Sequence, residues 1–273
     1  MTSNYEKEFE KRAKRKPWAW ALTAISLLIG IGVMRAVTDV AVPELQRATT
    51  SHEDFGRQFD AMVDQPEGIA LRALRDHFPN EYAGVRAQFA STAKDRTATA
   101  ADARRIGFVA MRNFVIAHNA NLALAPDRDL QAVATASREF AEALRLADVA
   151  LCARFGMGTF NVEDDLPEST TSSSTKLSAT IIEGIRHGID TPVDRGDLTD
   201  EDVEKFIVAM RKGGVPEDLL QRMDQMDAMS PEDACTTTIG LYRGLETMES
   251  ASSGRFHAYV VRETKKIAQA QAS

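Results

Sequence analysis

Cysteine is scarce in this 273-residue chain, with only two present. Two thiols exclude a disulfide-dense scaffold and a four-thiolate zinc site. Aromatic residues supply only 7% of the sequence, while Ala is frequent and there are 10 Met. Gly and Pro number 16 and 9, too few for a collagenous or largely disordered chain. No stretch alternates apolar and polar residues for long enough to read as a strand. No G-x-S-x-G, Walker A, G-x-G-x-x-G, H-E-x-x-H or C-x-x-C occurs, and each of those spacings carries a specific chemistry. The five histidines, His52, His77, His118, His187 and His257, never stand four apart, so no helix presents a His pair to one metal ion. With 40 acidic residues, paired carboxylates carry no information.

What the chain does have is a charge asymmetry. Its net charge is -7, yet residues 1–16 hold Lys7, Lys11, Arg12, Lys14, Arg15 and Lys16 against Glu6, Glu8 and Glu10. The remainder is strongly acidic, which repels phosphate backbones and argues against nucleic acid as a partner. Directly after the basic segment, residues 17–34 (PWAWALTAISLLIGIGVM) carry no charge. As a helix they span about 27 Å, close to the hydrocarbon thickness of a bilayer. Arg35 can snorkel and so extend the apolar span to residue 37. Trp18 and Trp20, the only tryptophans, sit at the basic end, where indoles anchor at headgroup level. The positive-inside rule then places a tail of residues 1–16 in the cytoplasm, a single-pass signal-anchor helix at 17–37, and the body outside. A bacterial inner membrane with a periplasmic body fits this pattern best. A cleaved signal peptide is the competing reading, with only Gly30-Ile31-Gly32 as a poor cleavage pattern.

The body reads as all-α. Helical signals cover 66–77, opened by Pro66-Glu67, and 81–93. They continue over 99–125, where Ile106, Val109, Phe114, Val115, His118 and Leu122 recur at the helical period. Pro126-Asp127 opens a helix expected to run until Gly156 and Gly158 stop it. Residues 177–188 form another segment. Thr199 caps Asp200-Glu201-Asp202, and Ser230-Pro231-Glu232-Asp233 is the strongest start signal in the chain: a Ser cap, Pro in the first turn, then acids. A turn at 250–254 precedes a last helix over 255–270. Residues 159–176, rich in Ser and Thr, have too little apolar content to bury a face and read as a flexible loop. That loop divides the body into a first helical part, 38–158, and a second, 177–273.

Four features are candidates for chemistry. Cys152 and Cys235 form an even count, which in an oxidising compartment suggests one disulfide; two separate buried thiols are the alternative. Met223, Met226 and Met229 converge on one helix face near Cys235, and thioethers suit soft metals, although methionines at helical spacing usually pack as core. The acidic stretch from Asp190 to Asp202 fails the calcium-loop pattern, because placing Gly196 at the sixth position puts Thr191, Val193 and Arg195 where acids are required. His118, in an apolar helix, reads as a core histidine with satisfied nitrogens. No catalytic residue, no metal site and no cofactor follow from the sequence.

The sequence therefore leads to an anchored extracytoplasmic helical protein. It would contact membrane lipid through its first helix and act through a protein partner or self-association, as an envelope scaffold, sensor-like or accessory subunit. Two other classes remain open: a metal-handling protein using the Met segment, and an envelope hydrolase with dispersed carboxylates.

Overall fold

The computed structural model of the chain describes residues 59–271 except 62, 94–99 and 161–165. The expected tail at 1–16 and membrane helix at 17–37, with Trp18, Trp20 and Arg35, lie outside the described residues. Among those that are described, no helix is long and apolar enough to cross a membrane, and every regular element is helical.

Among the described residues, ten α-helices are assigned in chain order. They are α1 (Ile69–His77), α2 (Pro79–Ala93), α3 (Ala100–Leu122), α4 (Asp127–Ala147), α5 (Val149–Met157), α6 (Thr171–Asp190), α7 (Asp200–Lys212), α8 (Glu217–Gln221), α9 (Pro231–Thr247) and α10 (Ser250–Gln271). Helix α4 lies at the centre and touches α5, α6, α9 and α10. Its buried stripe of Leu130, Val133, Ala134, Phe140, Ala141 and Leu144 follows the helical period, as a core-facing helix requires. Helices from both sides of the 159–176 stretch interleave: α9 packs on α4 and α5, and α6 packs on α1, α3 and α4.

The start signals act as their chemistry dictates. Thr199 accepts from the Asp202 N–H, and the Asp202 carboxylate reaches back to the Thr199 N–H at 3.0 Å, closing a capping box with Asp in place of the usual Glu. The Ser230 hydroxyl accepts from the Asp233 N–H at 3.2 Å, with Pro231 in the first turn. Gly158 ends α5 in the left-handed region at φ 65°, a conformation Gly enters without steric cost.

Three expectations are corrected. The helix expected from 127 to 156 is two helices, because Asp148 takes an extended conformation and its carboxylate accepts the Ala150 N–H, capping α5. The expected turn at 250–254 is instead the first turn of α10. Ser252 and Ser253 are fully buried there, and the Ser253 hydroxyl donates to the Leu245 carbonyl at 2.7 Å.

The Ser/Thr tract is the largest correction. From Thr171 onward it is helix, and Ser174, Thr175 and Ser178 are buried. The hydroxyl of Ser174 donates back to the Thr171 carbonyl at 2.9 Å, that of Thr175 to the same carbonyl at 2.8 Å, and that of Ser178 to the Ser174 carbonyl at 3.0 Å. Each side chain thus satisfies itself within its own helix, and what remains facing the neighbours is small and able to pack.

Candidate functional site

Cys152 and Cys235 are bonded, with their Cα atoms 5.2 Å apart. Both sulfurs are buried. One turn further along each helix, Gly156 lies against Thr238, and a Cβ on Gly156 would come within 1.6 Å of the Thr238 hydroxyl oxygen. The bridge and this contact hold α5 and α9 at a separation that admits no larger residue. Around them Phe155 meets Phe140 edge-on at 4.9 Å and lies 5.9 Å from Tyr242, geometries that aromatic quadrupoles favour. Burial pushes the Tyr242 hydroxyl far above its ordinary pKa, with a bond to Ser137 working against it.

The methionine segment joins this core. Residues 223–228 form a 3₁₀ turn and not a regular helix, and Met223, Met226 and Met229 are all buried with the other apolar side chains. The Met229 sulfur lies 3.9 Å from the Thr237 hydroxyl, which donates its proton to the Asp233 carbonyl at 2.8 Å. Cys235 spends its sulfur on the disulfide, so it offers these thioethers no thiolate. Among the described residues, no group of three or more His, Cys, Asp or Glu is placed to hold a metal ion.

His118 is only partly buried. Its ring lies 5.2 Å from that of Phe78 and 4.7 Å from that of Phe114. Asn121 approaches Nδ1 at 3.3 Å and Glu81 approaches Nε2 at 3.5 Å. If the Asn121 amide donates to Nδ1, the ring proton sits on Nε2 and points to the carboxylate. A second histidine–carboxylate pair, His187 Nδ1 with Asp129 at 3.0 Å, joins α6 to the start of α4. Asn121 connects the two neighbourhoods, because its carbonyl oxygen would lie 1.9 Å from a Cβ on Gly188, the residue after His187.

The acidic stretch after α6 is a strap over this end of the body, residues 191–199. Its Val193 N–H donates to the Leu124 carbonyl at 2.8 Å. Arg195 turns inward with its side chain only 5% exposed, donates to Asp127 at 2.7 Å and to the Ala123 carbonyl at 3.2 Å, and also bonds the Ala125 carbonyl. A guanidinium is well suited to the free carbonyls just past the C-terminus of α3, where the helix dipole is negative. Beside this strap Leu124, Ile189 and Val193 expose apolar surface, at 36, 42 and 37%.

Two functional-looking arrangements were invisible to sequence reading. One is the Asp202–Arg255 pair: Asp202 is 1% exposed and receives two bonds from Arg255, at 2.8 and 2.7 Å. The bonds from Arg255, then those from Thr199, hold its carboxyl well below the usual carboxylate range against the cost of burial. The other is His257 on α10, 1% exposed. Its Nε2 has no hydrogen-bond partner among the described residues. Burial first, then the charge of Arg195, pushes its pKa down to about 4.

Compared with protein-family models, curated proteins and solved structures, the chain matches none.

Proposed function

We propose that this chain is a single-pass membrane protein whose helical body works outside the cytoplasm through contacts with other proteins, as an envelope scaffold, sensor-like or accessory subunit. The observation that carries the reading is the buried Cys152–Cys235 bridge in a chain that opens with a basic segment and an uncharged run at 17–34. Structural disulfides persist in oxidising compartments, and that is where the basic flank would place the body. The apolar surface at Leu124, Ile189 and Val193 offers such contacts a place to form.

Photo-cross-linking residues introduced at Leu124 and Ile189 of the full chain, followed by mass spectrometry from native membranes, tests the proposal. One recurrent protein partner, or the chain itself, is the expected product. A reporter active only in the cytoplasm, fused after Ser273, should be silent. A strongly active reporter, or the absence of any protein adduct at either position, overturns the proposal.

A further inference from the structure

On α10, Gly254, His257 and Val261 stand at positions i, i+3 and i+7 and share one face. That face meets the strap end of the body. A Cβ on Gly254 would lie 2.2 Å from the Asp127 carboxylate and 2.7 Å from the Arg195 guanidinium, and the Val261 carbonyl accepts from Asn119 of α3 at 2.8 Å. His257 therefore sits one turn from a buried cation, enclosed and with an unsatisfied ring nitrogen.

The charged groups on the nearby turns are already engaged. Arg195 comes from the strap and is held by Asp127 of α4. Asp202 of α7 is held by Arg255, Glu246 of α9 by Arg138, and Asp129 of α4 by His187. Helix α3 contributes the uncharged Asn119. Arg262, the residue after Val261, adds another positive group and donates to the Gly196 carbonyl at 3.3 Å.

A proton on His257 would place imidazolium beside guanidinium in a site closed to water, where like charges repel most strongly. Burial opposes that proton most and the charge of Arg195 second, and opening the site relieves both. His257 is fixed in a helix packed on α3, α4 and α7. Arg195 lies on a strap with no regular structure; its ends are fixed by Thr191 on the His187 carbonyl and by Thr199 on Asp202, and between them its other ties to the body are the Val193 N–H and the Arg262 bond.

We propose that protonation of His257 releases the 191–199 strap, so that acid uncovers the end of α3 and the buried face of α10. The device is a proton-operated cover: the histidine is the trigger, Arg195 the part that moves, and the face of α10 the surface revealed. The low affinity of the closed state for the proton, with a His257 pKa near 4, means that opening and protonation favour one another.

Hydrogen exchange by mass spectrometry on the full chain, between pH 7.5 and 4.5, tests this once the intrinsic pH dependence of exchange is divided out. The opening equilibrium at the Val193 amide should gain about tenfold per pH unit below roughly 6.5, while amides of α5 and α9 beside the disulfide stay protected. His257→Leu should remove the pH dependence from the strap. A strap whose protection is the same at both ends of the range, or whose pH dependence survives His257→Leu, overturns the proposal. Should His257→Leu fail to fold, carbon-13 labelling of the histidine rings in the unmodified chain decides the matter. The His257 resonance is expected to titrate with the strap opening, and a ring that titrates while the strap stays closed refutes the proposal.

Discussion

Two ends of this molecule join helices by opposite means. Around Cys152 and Cys235 the contact is dry: a covalent bridge, a glycine against a threonine, and a cluster of Phe140, Phe155 and Tyr242. At the strap the contact is made by Arg195, Asp127, backbone carbonyls and a buried imidazole. The first kind of contact has no group whose charge changes near neutral pH, so it is indifferent to acidity. The second depends on which groups carry protons. One body thus contains a fixed half and a conditional half, and the difference lies in side-chain chemistry, since both halves are built from helices.

The comparison can be broken at either end. The largest effect belongs to the dry end. Phe140→Ala removes a fully buried ring and should cost about 3–5 kcal/mol, measured as a shift of the denaturant midpoint. Replacing both cysteines by serine should cost somewhat less, about 2–4 kcal/mol, because the bridge spans 83 residues and restrains mainly the unfolded chain. On non-reducing gels the parent should run faster than its reduced form, and the double variant should show no such difference.

At the polar end Arg255→Ala should cost about 3 kcal/mol, since it leaves the Asp202 carboxylate buried without its cation. The pH profile then separates the two polar sites. His257 has a lowered pKa, so between roughly 6.5 and 4 the unfolded state binds more protons than the folded one. Its contribution, at most about 3 kcal/mol, is complete above that window and lost as pH falls through it. Asp202 also has a lowered pKa, but its contribution is complete above the ordinary carboxylate value and disappears only below it. Equilibrium unfolding at closely spaced pH values should show His257→Leu flattening the upper window alone. The smallest effect is expected at Leu146, which is 91% exposed: Leu146→Ser should move stability by less than about 0.5 kcal/mol.

Much of the fold was legible where a local rule sufficed. Thr199, Ser230 with Pro231, Pro126 and Gly158 mark helix ends because capping is settled within four or five residues. The disulfide was legible as one of two readings, since parity and compartment narrow the choice while only the fold brings positions 152 and 235 together. The Ser/Thr tract defied composition because each hydroxyl bonds its own helix, and polarity in the sequence is then not polarity on the surface. Asp148 was overlooked as a cap because it interrupts an apolar stripe that otherwise reads as continuous. The strap and His257 were out of reach: Arg195 and His257 are 62 residues apart, and nothing in the acidic sequence around Arg195 announces that it turns inward. The run Phe256-His257-Ala258-Tyr259-Val260-Val261 did hold one clue, a histidine placed in the most apolar part of its helix.

The bridge also has a consequence in time. A ribosome adding roughly 5–20 residues per second makes Cys235 on the order of 4–17 s after Cys152, given their separation of 83 residues. Through that interval the first sulfur is a free thiol on a chain that already contains α4 and α5 but lacks α9, the helix that covers them. The central helix is thus completed early and enclosed late. Any oxidant or foreign disulfide that reaches Cys152 first competes with its own partner, which makes the speed of chain delivery part of how this body is assembled.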